Sequence, residues 1–137
     1  MKNTVLSLLI FGFIFTGQLL YAQQADTKSY SVNCSTWDCL EGNKNKGAII
    51  KGVFRKYTPN KTGKGANHMF WDWELVLADS NAVPVESTYN EINYKYFEGK
   101  KVAIKGTIFY GIVIGSAEGQ NARGFRIDPI GIDEIKK

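Results

Sequence analysis

Histidine occurs once in these 137 residues, cysteine twice and proline three times. A lone His68 has no second histidine with which to share a metal, and with Cys34 and Cys39 it falls short of a four-ligand zinc site. No apolar run reaches the roughly 20 residues that a membrane-spanning helix needs. Long helical periodicity, internal repeats, low-complexity tracts and a second domain boundary are all missing, which excludes helical bundles and repeat arrays. The glycine-rich stretch "TGKGANH" is not a phosphate loop. Lys64 is followed by Gly65 rather than Ser or Thr, and Thr58 stands where the first glycine of such a loop belongs. The dinucleotide fingerprint fails as well, because His68 takes the place of its third glycine. Ser87 and Ser116 lie in no nucleophile motif. No catalytic residue, cofactor or metal site is therefore assigned, and the expectation is a protein that is not an enzyme.

What is present begins with a leader. Lys2 precedes an apolar stretch from Val5 to Phe15, and polar Thr16-Gly17-Gln18 leads to Leu20-Tyr21-Ala22. A charged start, an apolar centre and a small residue at the end are the parts of a secretory signal peptide, expected over residues 1–22. About 115 residues then remain, enough for one domain with a modest core. An exported chain with a close, even pair of cysteines in "CSTWDC" points to a Cys34–Cys39 disulfide, placed in an N-terminal segment over residues 23–47. The setting is periplasmic or extracellular.

Beyond residue 47 the chain reads as short strand-like runs separated by Gly, Pro, Asn and Asp. They are Ala48–Thr58, Met69–Asp79, Val83–Ser87, Lys101–Gly115 and Phe125–Ile135, with a short helix or irregular crossover between the third and fourth. Gly52 and Gly106 inside runs suggest bends or bulges, and Pro84 suggests an edge. Five strands in a strongly bent sheet remove most exposed edges by curling into a small barrel. The stretches "GVFRKY", "FWDWELVLAD", "FEGKKVAIKGTI" and "FRIDPIGIDEI" give a layout that resembles the oligonucleotide/oligosaccharide-binding (OB) fold. Its fourth strand is matched by G-K-x-V-x-I-x-G. The expected fold is all-β, with one short helix, forming a five-stranded, OB-like, partly open barrel over residues 48–137. A small β-sandwich is the alternative, but would require about seven strands.

In the second run, alternation places Trp71, Trp73, Leu75 and Leu77 on the core face and Phe70, Asp72, Glu74 and Val76 outside. Outward Asp72 and Glu74 are expected to be solvated, with a salt bridge to Arg55 or Lys56 on a neighbouring strand. Between Gly42 and Trp71 there is no acidic residue, whereas Lys44, Lys46, Lys51, Arg55, Lys56, Lys61 and Lys64 are all basic. Lysines interleaved with aromatics suit single-stranded nucleic acid. Export and outward acidic residues argue against that partner.

The OB resemblance implies that the loops Pro59–His68 and Gly115–Gly124 flank a binding face. The contact residues expected there are Tyr57, Asn67, His68, Phe70, Gln120, Asn121 and Arg123. The function expected is an exported binding or interaction module of the cell envelope or exterior. Its partner would be a glycan, an acidic protein or an anionic surface, including a membrane surface. An envelope structural or stress protein without a small ligand is the rival, and a nucleic-acid-binding OB module ranks below it. N-terminal sequencing of the exported protein should start at Gln23, or at Asp26 if the signal ends at Ala25. A mature chain that keeps Met1 would overturn the leader.

Overall fold

The computed structural model describes residues 30–58, 71–88, 91–113 and 122–136. Its elements are β1 (Val32–Cys34), α1 (Trp37–Gly42), β2 (Gly47–Lys56), β3 (Trp73–Val76), β4 (Ala82–Val85), a single 3-10 turn (Tyr94–Phe97), β5 (Lys101–Val113) and β6 (Ala122–Glu134). Residues 1–22, where a signal peptide is expected, lie outside the described residues. Among those residues no helix is long and apolar enough to cross a membrane.

The strands form one sheet in the order β1-β2-β3-β4-β6-β5, and β5 returns to pair with β2. Strands β2 to β6 thus close a five-stranded barrel, compatible with an OB-like layout. Four of its five seams are antiparallel. The fifth, β4 with β6, is parallel and held at the single register pair Val85↔Ile127. The Glu86 amide donates to Ile127 O across this seam at 2.9 Å. Two residues earlier Pro84 points the same way along the strand but has no N–H to give, which keeps the seam short.

Alternation along each strand fills the barrel. Ala48, Ile50 and Phe54 of β2, Leu75 of β3, Val83 and Val85 of β4, Val102, Ile104 and Ile108 of β5 and Ile127 of β6 are fully buried. One end of this core is plugged by aromatic rings. Phe54 stacks on Trp73 with ring centroids 5.2 Å apart, and Tyr94 of the 3-10 turn lies 6.0 Å from Phe54. The Tyr94 hydroxyl donates to Glu86 O at 3.0 Å, so the ring is buried without stranding its polar end.

Gly52 and Gly106, the two glycines that the sequence marks as bends or bulges, serve different purposes. At Gly106 the β5–β6 ladder changes register between Lys105 and Gly106, a bulge. A Cβ at Gly106 would strike the backbone of Asp128 and Pro129. At Gly52 a Cβ would meet the Val76 carbonyl and the Leu75 side chain, so glycine lets β2 lie close against β3.

The N-terminal segment is more ordered than a loop. Val32, Asn33 and Cys34 pair in parallel with Ala48, Ile49 and Ile50, adding a sixth strand beside the barrel. Cys34 is bonded to Cys39 of α1, as the sequence suggests. Leu40, Trp37 and Cys34 belong to the core cluster, so the short helix is held by packing rather than by its length. Thr36 caps it by accepting from the Cys39 amide. The turn after it is fixed by Asn45, whose φ of 60° suits asparagine. Asn45 accepts from the Tyr110 amide through Oδ1 and donates its own amide to Ile108 O.

Trp73→Ala should destabilise the fold by about 3 kcal/mol, because it empties the ring stack. Chemical denaturation that matches the parent would contradict the plug. Gly106→Ala should cost about 1–3 kcal/mol, since the obstructing atoms are backbone and have little room to shift. The same denaturation measurement checks it.

Candidate functional site

Two carboxylates that alternation places outside in fact have different surroundings. Asp72 is exposed, as expected, but Glu74 is fully buried. The reason is the partner opposite it. Arg55 and Glu74 face each other in the β2–β3 register, and Arg55 Nε reaches Glu74 Oε1 at 2.7 Å. The arginine side chain is 43% exposed, so it covers the acid while keeping its own head partly hydrated. The expected salt bridge with Arg55 is present, and the expected solvation of Glu74 is not. Asp72 and Glu74 therefore do not make a carboxylate pair for acid–base work. The repulsion of nucleic-acid phosphates expected from this face reduces to Asp72 alone.

The surface that gathers several candidate groups lies where the described strands border residues 59–70 and 114–121. Trp71 stands at the start of the chain leading into β3. Phe109 of β5 and Arg126 of β6 are register partners in the ladder that carries the second loop. The Arg126 guanidinium carbon lies 4.0 Å from the Phe109 ring centroid and 5.7 Å from that of Trp71. A cation at these distances is attracted by the ring faces. Asp128, two residues along the same face, takes Arg126 Nε at 2.6 Å and Nη2 at 3.2 Å. This fork neutralises most of the arginine's charge and fixes its plane. Trp71 is half-buried, and its indole nitrogen is buried without a hydrogen-bond partner. Gly111 continues the surface: a side chain there would collide with the Phe109 ring.

Of the contact residues expected from sequence, two fall within the described structure. Tyr57 is half-buried just after β2, and its amide donates to Asp72 O at 2.9 Å, joining the chain on either side of residues 59–70. Arg123 is exposed on β6, paired in register with Ile112. Asn67, His68, Phe70, Gln120 and Asn121 lie outside the described residues. Sequence reasoning missed Phe109, Arg126 and Asp128, and it placed Trp71 in the core. Trp71 is not among the core residues and instead meets Arg126. The pattern Arg126-Ile-Asp128 was a usable signal, because residues two apart on a strand share a face.

Chain comparisons add no relative. No family model, no curated protein and no solved structure matches this chain. Among the described residues no group of three or more His, Cys, Asp or Glu side chains is placed to hold a metal. The Cys34–Cys39 disulfide is consistent with an oxidising, exported environment.

A second anchor holds the N-terminal segment to the barrel. Asp79, in the turn after β3, accepts the Trp37 amide at 2.7 Å. Partial burial acts to raise the Asp79 pKa, but hydrogen bonds from the Trp37 backbone and from Asn81 outweigh it, and the net shift is downward. A depressed folded-state pKa means that this link stabilises the fold above the unfolded carboxylate's pKa. The contribution is lost as pH falls through the lower folded value.

Arg55→Ala should destabilise the protein by about 2 kcal/mol, since it strips a charged partner from a buried carboxylate. Urea melts of the single variants and of Arg55→Ala/Glu74→Leu measure the pair. Recovery in the double variant is expected, and an equal loss in it would mean that Glu74 contributes on its own. Acid unfolding of Asp79→Asn should also show a weaker pH dependence below the ordinary carboxylate range than the parent.

Proposed function

We propose that the protein is an exported, non-enzymatic binding module built as an OB-fold, holding a neutral carbohydrate at the stems of its two long loops. The strand order, the parallel closing seam and the 3-10 turn that plugs the barrel end support the OB assignment. The disulfide and the leader-like N-terminus support export.

The observation that carries the ligand reading is the meeting of Trp71, Phe109 and Arg126, with the arginine's charge taken up by Asp128. Aromatic faces suit the apolar C–H side of a sugar ring, as they suit other amphipathic surfaces. Asp128 offers acceptor oxygens, and Arg126 has N–H groups beyond those given to Asp128. Hydroxyl groups satisfy donors and acceptors alike. Because the arginine is internally neutralised, a neutral glycan fits better than an acidic one at this surface. Tyr57, at the base of the same surface, is a secondary contact, whereas Arg123 shares its face of β6 with Phe125 and Ile127 and points away from Arg126.

A glycan array carrying neutral and acidic sugars tests this. Binding to neutral glycans should fall about tenfold or more in Trp71→Ala and in Phe109→Ala, as for buried aromatic contacts generally. Arg123→Ala, on the opposite face of β6, should leave it unchanged. Capture of acidic glycans alone, or binding untouched in both aromatic variants, would sink the assignment. Melting curves of the variants separate lost contact from lost fold.

A further inference from the structure

The edge of β2 that faces β1 and β3 changes partner midway. Ala48 to Ile50 pair with β1, and Val53 to Lys56 pair with β3. Between them a groove of about 450 Å³ opens, lined by Ser35, Lys51, Val53, Val76, Ala78 and Lys101 among others. The Ala78 amide donates to Ser35 O at 2.8 Å and closes the floor where β1 ends and β3 has passed.

The outer face beside the groove has a definite pattern. Across the β2–β5 ladder, Ile49 faces Lys105, Lys51 faces Ala103, and Val53 faces Lys101. Lys51, Lys101 and Lys105 are exposed, and Val53 is 42% exposed among them. Lys51 and Lys101 form no ion pair among the described residues, and Lys105 sits over the Tyr30 ring. Nearby acids are engaged or outnumbered. Glu134 is bonded to Lys100 and Asp79 to the Trp37 amide. Exposed Asp133, opposite Ala103 on β6, shares the outer face with Lys101 and Lys105 as their diagonal neighbour and stands one strand further from Lys51, so the lysines outnumber the acid on this face three to one.

The kind of cation matters here. Arg55 and Arg126 hold carboxylates of the chain itself, as suits their forked geometry. The unpaired cations on the β2–β5 face are lysines, which act as point charges on phosphate groups without demanding one orientation. Lysines around an exposed apolar side chain are the composition that adsorbs to anionic lipid.

We propose that this face docks on an anionic phospholipid surface, with Lys51 and Lys101 at headgroup phosphates and Val53 against the glycerol and upper acyl region. Lys105 adds charge at the margin. The surface is separate from the loop-stem site: Lys101 begins β5, whereas Phe109 and Arg126 stand in its distal half with β6. The two surfaces lie at opposite ends of the outer side of β5, so one end would hold the protein at a membrane while the other engages its ligand.

Co-sedimentation with vesicles of phosphatidylcholine containing roughly 30% phosphatidylglycerol, against pure phosphatidylcholine, tests the proposal. All proteins are purified identically. The parent should bind only the anionic vesicles, and more weakly as salt rises. Lys51→Glu/Lys101→Glu should weaken binding about tenfold or more, and Lys56→Glu/Lys95→Glu, the same charge change elsewhere, by less than about threefold. Trp71→Ala should leave vesicle binding unchanged, so this result stands apart from the glycan assay. Equal binding to pure phosphatidylcholine, no binding to either vesicle, or equal losses in the two double variants would each overturn the proposal. So would full displacement by inorganic phosphate or by polyglutamate, which would assign the face to a free anion or an acidic polymer. Melting curves check that the variants fold, and Lys51→Gln/Lys101→Gln replaces the charge reversal if it does not.

Discussion

The barrel depends on one strand that must serve three partners. β2 pairs with β5 along one edge, and with β1 and then β3 along the other. A flat strand cannot do this around a small closed sheet, because adjoining strands twist relative to one another. Gly52 stands at the handover between β1 and β3, and the absence of a side chain lets the Val76 carbonyl and Leu75 come close. The same handover leaves the groove beneath Lys51 and Val53. Closure of the core and the opening of an outer surface thus follow from a single geometric demand on β2.

Around that strand, polar groups are placed where the barrel needs strength without extra apolar area. Arg55 folds over Glu74 on the outer wall, and Arg126 is clamped by Asp128 on the ladder opposite. In both cases an acid is matched by a forked cation rather than by lysine. Arg55 and Arg126 are thus engaged within the chain, whereas Lys51 and Lys101 form no ion pair among the described residues. The two surfaces differ in chemistry because their cations differ in availability.

The N-terminal segment ties into the same framework. The disulfide joins Cys34 of β1 to Cys39 of α1, and Asp79 binds the first amide of the helix. Trp37 then packs edge-on against Phe125 at 5.2 Å, while Lys44 lies over Tyr110 at 4.3 Å. These contacts brace the distal part of the β5–β6 ladder, which reaches beyond the register shared with β2. The N-terminal segment therefore braces the end of the ladder formed by Tyr110 to Val113 and Ala122 to Phe125.

Five strand positions, the bend at Gly106, the crossover turn and the disulfide were legible in the sequence, because they depend on local signals: alternation, glycine placement and cysteine spacing. The inward direction of Leu75 and Leu77 follows from period two alone. The burial of Glu74 was not legible, since it depends on which residue the register of β2 places opposite. Trp71 likewise obeys the alternation of its run, yet it leaves the core because the chain bends at Asp72 before β3 begins. The short strand β1 carries too few residues to announce itself and exists only through its pairing with β2. By itself the sequence determined the class of fold and the placing of its covalent link. The partners of Arg55 and Arg126, and with them the chemistry of each outer face, were decided by tertiary structure, because cross-strand neighbours are set by register rather than by distance along the chain.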